Sequence, residues 1–530
     1  MISFFKKLWH GETGGLTAAA FLIGGASLIS SVLGVIRDRL LASTFGAGTE
    51  LDAYYAAFRL PDLLFYLLIV GAFTAGFIPL FTEYAEQRGK ESVIKFTAQI
   101  FTWVGIVMIA LSALLIILVP WLMPLIVRGF STQATELTIT LTRIMLLSPI
   151  FLGLSAVMGG VLQATKRFFA FSLAPVLYNL GIIFGMVVLA PRMGIMGVAW
   201  GVVLGAFVHF LAQWSVARRA GFGHIVWPSF AAEGVGRLIK LTAPRLMSLA
   251  VSQINLVILL SLASSLTVGA VTVFNLANNI QSFALSIFGI SFALAAFPAL
   301  SQAASRRDDA AFSQALNAAG RKIVFFMLPS AALFIILRVP IVTMILHSGK
   351  FVASDVHRTA DVMGWFAFSL VAQSLVPLLS RAFFALQDAW KPFWISIVCE
   401  AINLILAYWL RGPFGIVGLA IAFSVAFWIN IMLLWILLHR KKINLTSADF
   451  WRSSFKTILA TAALIIITPA LLRQWITVTY WLPLFWQAAL EVIFSSMGGG
   501  LVFLLVARWC KSEEMEEFWS GLKRRLSRIP

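Results

Sequence analysis

The sequence predicts an all-α polytopic membrane protein with about 14 transmembrane helices. Its 530 residues are 60% hydrophobic and only 12% charged, with a mean hydropathy of +0.93. A soluble domain of this composition would expose far too much apolar surface. The apolar residues also fall into runs of about 20, the length at which a helix crosses a bilayer.

The predicted spans follow one another closely, with boundaries set by charged residues, Pro and Gly. They lie near residues 15–36, 52–82, 97–122, 136–162, 168–190, 195–217, 236–264, 270–300, 322–346, 360–386, 392–410, 414–438, 454–472 and 482–508. Several exceed the length of a straight crossing, which predicts tilt or extension beyond the bilayer.

The net charge of +18 is explained by the orientation of the chain in the membrane and does not indicate nucleic-acid binding. If the N-terminus is cytoplasmic, the even-numbered loops carry most of the Lys and Arg, as the positive-inside rule requires. Lys166 and Arg167 lie in one such loop, and Arg440, Lys441 and Lys442 lie in another. An even number of spans then places both termini in the cytoplasm. The first apolar stretch is interpreted as a retained helix and not as a signal peptide.

Similar segments recur along the chain at an offset of about 220 residues, which predicts parallel repeats. Residues 194–199 match residues 415–420, and residues 58–85 resemble residues 274–304. Six spans separate each pair, so the orientation is restored and the two repeats are parallel. The predicted organisation is two six-helix repeats plus two extra C-terminal helices, with these boundaries: 1–217 N-terminal lobe (spans 1–6), 218–235 cytoplasmic linker, 236–440 C-terminal lobe (spans 7–12), 441–510 spans 13–14 and 511–530 cytoplasmic tail.

Two segments outside the spans carry local predictions. In the linker, Pro228 and its aromatic neighbours favour a surface helix. In the tail, residues 511–528 have apolar side chains at helical spacing, which fits a short helix on the inner leaflet. A disordered tail is the alternative.

Charged residues cluster around the junction of the first two spans: Arg37, Asp38, Arg39, Glu50, Asp52, Arg59 and Asp62. An ionisable residue in a bilayer is costly unless it faces a cavity or a partner, so the cluster predicts an anionic substrate or an ion pathway. The alternative is a short extramembrane loop, and Arg39 and Glu50 are assigned to it. Arg59 and Asp62, one turn apart, can pair with each other.

A series of motifs in this region resembles a known family. Ser-x-Leu-Gly-x-x-Arg-Asp at residues 31–38 precedes Phe-Gly-Ala-Gly at 45–48, Asp-Ala-Tyr at 52–54, Phe-Arg-Leu-Pro-Asp-Leu-Leu at 58–64 and Phe-Ile-Pro at 77–79. This series is similar to the MurJ/MviN family of lipid II flippases, within the multidrug/oligosaccharidyl-lipid/polysaccharide exporter superfamily.

The resemblance implies a transporter of the bacterial inner membrane and not an enzyme. Such a protein moves undecaprenyl-diphosphate-linked peptidoglycan precursor from the inner to the outer leaflet, for cell-wall biogenesis and cell shape. Alternating access of the two lobes would expose a cationic central cavity to each side in turn. The expected partners are the lipid-linked anionic substrate, membrane lipids and cell-wall synthesis proteins.

By motif position, the resemblance assigns Arg37, Asp38, Asp52 and Arg59 to the substrate cavity. Arginine supplies a charged fork that fits phosphate oxygens, and Asp38 beside Arg37 limits the unpaired positive charge.

Three positions depart from the family pattern, because Ser31, Phe65 and Asn279 stand where arginine is often found. Asn278 and Asn279 can still bind sugar or phosphate by hydrogen bonds. Arg245 is a candidate replacement cation, and its alternative is a residue that snorkels to the interface.

No cofactor or metal is expected, and Cys399 and Cys510 imply no disulfide framework. Glu400 and Asn403, three residues apart in the eleventh span, are a candidate site for Na⁺ or H⁺ coupling. The alternative is a hydrogen-bonded packing pair. Dependence on the membrane potential is a further expectation.

Three other functions remain open. An exporter of another lipid-linked oligosaccharide or polysaccharide fits the missing arginines. A polyprenyl-phosphate glycosyltransferase would need carboxylates placed for catalysis in the outer loops, which are short. A non-transporting scaffold has little use for a buried Arg-Asp pair.

Overall fold

The computed structural model describes residues 16–67, 73–229, 235–441, 443 and 447–526, nearly all of them in helices. Within these residues, eight helices are each long and apolar enough to cross a membrane, and a pair bent by 41° at Ser369 makes a ninth. Of the other predicted spans, 15–36 and 236–264 correspond to the single helices Leu16–Phe45 and Val235–Ser264, whereas 52–82 and 270–300 coincide with helices interrupted by breaks. Across the described ranges there is no β-strand, only an isolated bridge between Ser348 and Phe351. The predicted fold class is confirmed.

The chain forms two compact units, Met1–Thr272 and Val273–Pro530. The helices of the first unit are α1 (Leu16–Phe45), α2 (Thr49–Ala57), α3 (Arg59–Phe65), α4 (Phe73–Gln87), α5 (Gly89–Ile126), α6 (Thr132–Met145), α7 (Ser148–Ala164), α8 (Phe168–Phe184, followed by a π-turn at Gly185–Leu189), α9 (Ile195–Arg219) and α10 (Val235–Ser264).

Helix α11 (Ala270–Ala284) begins in the first unit and continues into the second. It is followed by α12 (Ile290–Ser305), α13 (Asp309–Ile336), α14 (Arg338–Leu346), α15 (Ala353–Phe368), α16 (Leu370–Ala385), α17 (Trp390–Arg440), α18 (Ala448–Thr479), α19 (Leu484–Trp509) and α20 (Glu513–Leu526).

Each unit has its own apolar core. In the first unit, Phe77 of α4 stacks on Phe96 of α5 with ring centroids 5.8 Å apart, and residues of α7 and α9 complete the cluster. In the second unit the largest cluster is formed by α12, α13, α16 and α17 and includes Phe312 and Phe383. Burial of these large side chains stabilises the helix contacts that position the polar groups described below.

The repeat predicted from sequence appears as matching backbone geometry. Gly194 (φ 58°, ψ −144°) and Gly415 (φ 56°, ψ −133°) both have a positive φ, a backbone conformation that favours glycine. Three residues later, Gly197 lies against the backbone of Leu189 and Gly418 lies against that of Leu410. Both pairs are at the offset found in the sequence, which supports two repeats of the same backbone. The lobe boundaries predicted above stay a prediction.

Two local predictions near the first spans are wrong. Arg39 lies in α1, which continues to Phe45, and Glu50 lies in the first turn of α2. The connecting loop is therefore only residues 46–48. It can be this short because Gly46 adopts a φ of 67°, a conformation that β-carbons disfavour.

The predicted surface helix around Pro228 is also wrong, because residues 222–229 are not helical and α10 begins only at Val235. The tail is helical as predicted, over Glu513–Leu526. Its acidic first turns pair with α13, through Arg321–Glu513 and Lys322–Glu517 contacts of 2.7 Å each. Contact of the tail with the inner leaflet stays a prediction.

Candidate functional site

Arg37 and Asp38 form an ion pair on α1. The Arg37 Nε donates to Asp38 Oδ1 at 3.0 Å, and Nη2 donates to the same oxygen at 2.9 Å. The Asp38 side chain is 9% exposed and that of Arg37 is 23% exposed. The carboxylate is therefore hidden, while the Arg37 side chain is partly exposed.

Asn179 on α8 fixes the other side of this guanidinium. Its Oδ1 accepts a hydrogen bond of 3.0 Å from Arg37 Nη1. Its Nδ2 is held in turn by the Ser30 carbonyl at 3.2 Å and the Ser30 hydroxyl at 3.1 Å. Sequence reasoning missed Asn179, although a polar amide inside an apolar span was a signal that could have found it.

Tyrosines connect this pair to a second one on α3. Tyr178 lies near both Arg37 and Asp62, and the carboxyl of Asp62 lies near the guanidinium of Arg59. Tyr54 packs edge-on against Phe58, with ring centroids 5.1 Å apart. The first unit thus brings two arginines and two carboxylates together among aromatic side chains, as expected of a site that handles an anionic group in an apolar environment.

Asp52 makes a different contact. Its buried carboxylate accepts hydrogen bonds of 2.7 Å from the backbone N–H groups of Gly269 and Thr272, and one of 2.6 Å from the Thr272 hydroxyl. These donors belong to the start of α11, where a negative charge is favoured by the helix dipole. The structure therefore places Asp52 at a helix N-terminus, and its assignment to the substrate site stays a prediction.

The candidate amides of α11 lie beside a neutral network in the second unit. Asn278 Oδ1 accepts from Gln281 Nε2 at 3.0 Å. The buried side chains of Gln281 and Gln373 bond to each other, with Gln373 Nε2 donating to Gln281 Oε1 at 2.9 Å and to Ser369 Oγ at 3.0 Å. Asn279 is exposed.

The remaining candidates lie elsewhere. Glu400 and the buried Asn403 are on α17, where their side chains hydrogen-bond to each other. Arg245 is on α10, in a stretch whose side chains lie outside the described residues. Over the described ranges, no group of three or more His, Cys, Asp or Glu side chains could hold a metal ion.

The fold defines a class of multi-pass helical membrane protein. Two solved structures share it: a lipid II flippase MurJ in an inward closed conformation (TM-score 0.76, 24% identity, covering 92% of this chain and 98% of that chain) and an inward-facing multidrug resistance MATE family transporter of the MOP superfamily (TM-score 0.67, 18% identity, covering 80% and 98%).

Sequence comparison gives the family within this class. The family model described as lipid II flippase MurJ matches residues 41–489, and the chain belongs to this family. The lipid II flippase MurJ of Burkholderia cenocepacia is 28% identical over 507 residues, covering 92% of this chain and 97% of that protein. The probable lipid II flippase MurJ of Rhizobium meliloti is 30% identical over 424 residues, covering 78% of each. The chain is accordingly a multi-pass inner-membrane protein of a transporter family and not an enzyme.

Proposed function

We propose that this protein moves the lipid-linked peptidoglycan precursor lipid II from the inner to the outer leaflet of the cytoplasmic membrane. Membership of the MurJ family supports this function, and its relatives carry the name lipid II flippase. The single observation that carries it is the Arg37–Asp38–Asn179 network, a guanidinium held by three hydrogen bonds on a half-buried side chain within a span. A diphosphate is the part of lipid II that such a group recognises.

The network suits transient binding. Three hydrogen bonds hold the Arg37 guanidinium in one orientation before the substrate arrives, which lowers the entropy lost on binding. The nearby Asp38 carboxylate reduces the net positive charge, so the diphosphate can also leave. A transporter needs both properties, because it must release its substrate on the far side of the membrane.

Alternating access through a cationic central cavity is part of this proposal. Arg37, Asp38, Asp52 and Arg59 would contribute from the first unit, Arg245 from α10, and Asn278 and Asn279 from α11. Both termini would be cytoplasmic, as the distribution of Lys and Arg favours. The substrate, membrane lipids and cell-wall synthesis proteins are the proposed partners.

Glu400 and Asn403 are proposed as the site of ion coupling to Na⁺ or H⁺. A carboxyl and an amide together on an apolar helix offer oxygen ligands to a small cation. Transport in vesicles should then respond to a Na⁺ or pH gradient. A Glu400→Gln variant with an unchanged response would contradict this site.

A second candidate is the flipping of another lipid-linked oligosaccharide. The positions that favour it are Ser31, Phe65 and Asn279, which are uncharged. The Ser31 hydroxyl donates to the Ser27 carbonyl of its own helix at 2.9 Å, and Phe65 packs edge-on against Tyr66. With fewer cations, the site would hold a diphosphate less strongly and leave more room for sugar contacts.

Complementation tests the main proposal. Cells depleted of their own lipid II flippase would express this chain, and its amount in the membrane fraction would be checked by immunoblot. Rescue by the wild type and failure of Arg37→Ala is the expected result, with Arg37→Lys intermediate because it keeps the charge and loses the fork. A well-expressed wild type that does not rescue would overturn lipid II as the substrate and leave the second candidate.

A further inference from the structure

Side chains of α5 form hydrogen bonds to backbone groups of residues 222–229, called here the linker segment. Gln99 makes two of these bonds: its Oε1 accepts from the Ser229 N–H at 3.1 Å, and its Nε2 donates to the Trp227 carbonyl at 3.0 Å. A single amide side chain thus pairs with the segment much as a neighbouring strand would.

Three further bonds complete the contact. The Val226 N–H donates to Thr102 Oγ1 at 3.1 Å, and Trp103 Nε1 donates to the Ser229 carbonyl at 3.3 Å. At the start of the segment, Trp214 Nε1 donates to the Gly223 carbonyl at 3.3 Å. Backbone groups of an exposed loop normally bond to water, so this degree of pairing by side chains is unusual for a surface connection.

Two apolar side chains of the segment are strongly exposed. Ile225 is 80% exposed and Trp227 is 89% exposed. A loop in water has the opposite arrangement, with polar groups outward. Five backbone groups of the segment bond to protein side chains while two of its apolar side chains are exposed, an arrangement that lowers the cost of placing non-helical chain against lipid.

The position along α5 agrees with this. No charged residue lies between Lys95 and Arg128, and Gln99, Thr102 and Trp103 lie in the first turns of that apolar stretch. The linker segment therefore lies at the level where the hydrocarbon begins, the depth at which tryptophan is enriched. Near the start of the segment, His224 lies beside Arg218 of α9, with Nη1 of Arg218 and Nδ1 of His224 2.6 Å apart. This polar pair suits the headgroup side.

We propose that the linker segment is an interfacial membrane anchor, with Ile225 and Trp227 inserted into the lipid at the hydrocarbon boundary and Gln99 as the positioning residue that holds them there. The partner is the lipid surface itself. This role is separate from substrate binding and does not depend on the identity of the transported lipid.

Labelling of single cysteines tests the proposal in the full-length protein. In a background with Cys399→Ala and Cys510→Ser, the variants Ile225→Cys, Trp227→Cys and His224→Cys would each carry an environment-sensitive fluorophore. The protein would be reconstituted into vesicles of phosphatidylethanolamine and phosphatidylglycerol. Labels at 225 and 227 should emit at shorter wavelength than the label at 224. A lipid with a nitroxide near its headgroup should quench them severalfold more, and aqueous iodide severalfold less.

A second variant separates anchoring from the mere presence of an apolar side chain. Gln99→Leu removes the amide that bonds to the segment, and it should shift the label at 227 toward the aqueous signal. Gln87→Leu, at an exposed position of α4, is the matched control and should leave the signal unchanged. With Gln99 intact, equal iodide quenching of the labels at 224, 225 and 227 would overturn the proposal. A signal at 227 that is the same in Gln99→Leu as in the Gln87→Leu control would also overturn it.

Discussion

The polar groups inside the two units differ in kind. The first unit contains charged pairs, Arg37 with Asp38 and Arg59 with Asp62, whereas the second contains the neutral amides Gln281 and Gln373. The backbones of the two repeats nevertheless match at the glycines described above. The difference teaches that one scaffold can hold two chemistries, so the proposed attraction for a diphosphate would rest mainly on the first unit.

The largest effect is expected at the Arg37–Asp38 pair. Arg37→Met leaves a buried carboxylate without its partner, which should destabilise the fold by about 3–5 kcal/mol. The double variant Arg37→Met/Asp38→Leu should recover most of that stability but not the rescue of flippase-depleted cells. Thermal unfolding in detergent and complementation measure the two properties separately.

The control for this pair is Arg338→Met in the second unit. Its ion pair with Asp361 is much more exposed, with side chains 40% and 55% exposed, so its loss should cost less than about 1 kcal/mol. Rescue by the double variant equal to wild type would remove the substrate-binding role of Arg37 and erase the functional contrast between the units.

The next effect concerns the exposed Asn279 of α11. Asn279→Arg adds a cation to the neutral amide region and should increase affinity for an undecaprenyl-diphosphate lipid by about tenfold, because a charge-assisted bond contributes roughly 1.5–3 kcal/mol. Binding of the lipid to purified protein is the measurement, and Asn279→Gln is the uncharged control. Unchanged affinity in Asn279→Arg would place α11 away from the diphosphate.

The cap that Asp52 forms on α11 should contribute less than the Arg37 pair. Asp52→Ala removes the acceptor for three donors and should cost about 1–2 kcal/mol in unfolding free energy. Thr272→Val removes only the hydroxyl bond and should cost about 1 kcal/mol. If Asp52→Ala abolished lipid binding while leaving the unfolding temperature unchanged, Asp52 would belong to the substrate site instead.

The amide pair of the second unit comes next. Gln373→Leu leaves the polar groups of the buried Gln281 without one partner, at a cost of about 1–3 kcal/mol, whereas Gln281→Leu/Gln373→Leu removes both partners and should be milder. Transport should be affected less than in the Arg37 variants. Unfolding midpoints and complementation at matched expression measure this, and loss of transport by the stable double variant would instead give the amide pair a direct part in transport.

The smallest effect is a pH dependence at Asp388, in the turn between α16 and α17. Burial alone would raise the pKa of this carboxyl, but hydrogen bonds from Lys441 and Lys391 outweigh it and lower the pKa below its ordinary value. A pKa that folding lowers adds stability that is present above the unfolded value and is lost as pH falls through the folded value.

Because Asp388 lies near the surface, the contribution should stay below about 1 kcal/mol. Unfolding midpoints measured from neutral to acidic pH should fall less steeply for Asp388→Asn than for wild type. Parallel profiles for the two proteins would contradict the contribution of the lysine contacts.

The sequence predicts whatever depends on composition, periodicity and near neighbours. The helical class follows from the apolar runs, and adjacency along the chain already suggested that Arg37 pairs with Asp38. Asn179 lies 142 residues from its partner Arg37, and Asp52 bonds to a helix start 217 residues away. Such contacts depend on how helices pack, which local patterns do not encode. The linker segment misled prediction for a related reason: Ile225 and Trp227 are exposed, while Gln99, far away in sequence, bonds to the backbone of the segment.

The glycine turns at 194 and 415 bear on how the protein can be engineered. Each joins two helices through a single left-handed residue, and the glycine that follows lies directly against the preceding helix. An epitope tag or reporter inserted at either turn would push these helices apart, so expression should collapse. The longer connection around Gly349, where Ser348 and Phe351 form a small bridge, offers a tolerant insertion point on the chain. Topology reporters placed there would read out orientation without disturbing the helical hairpins.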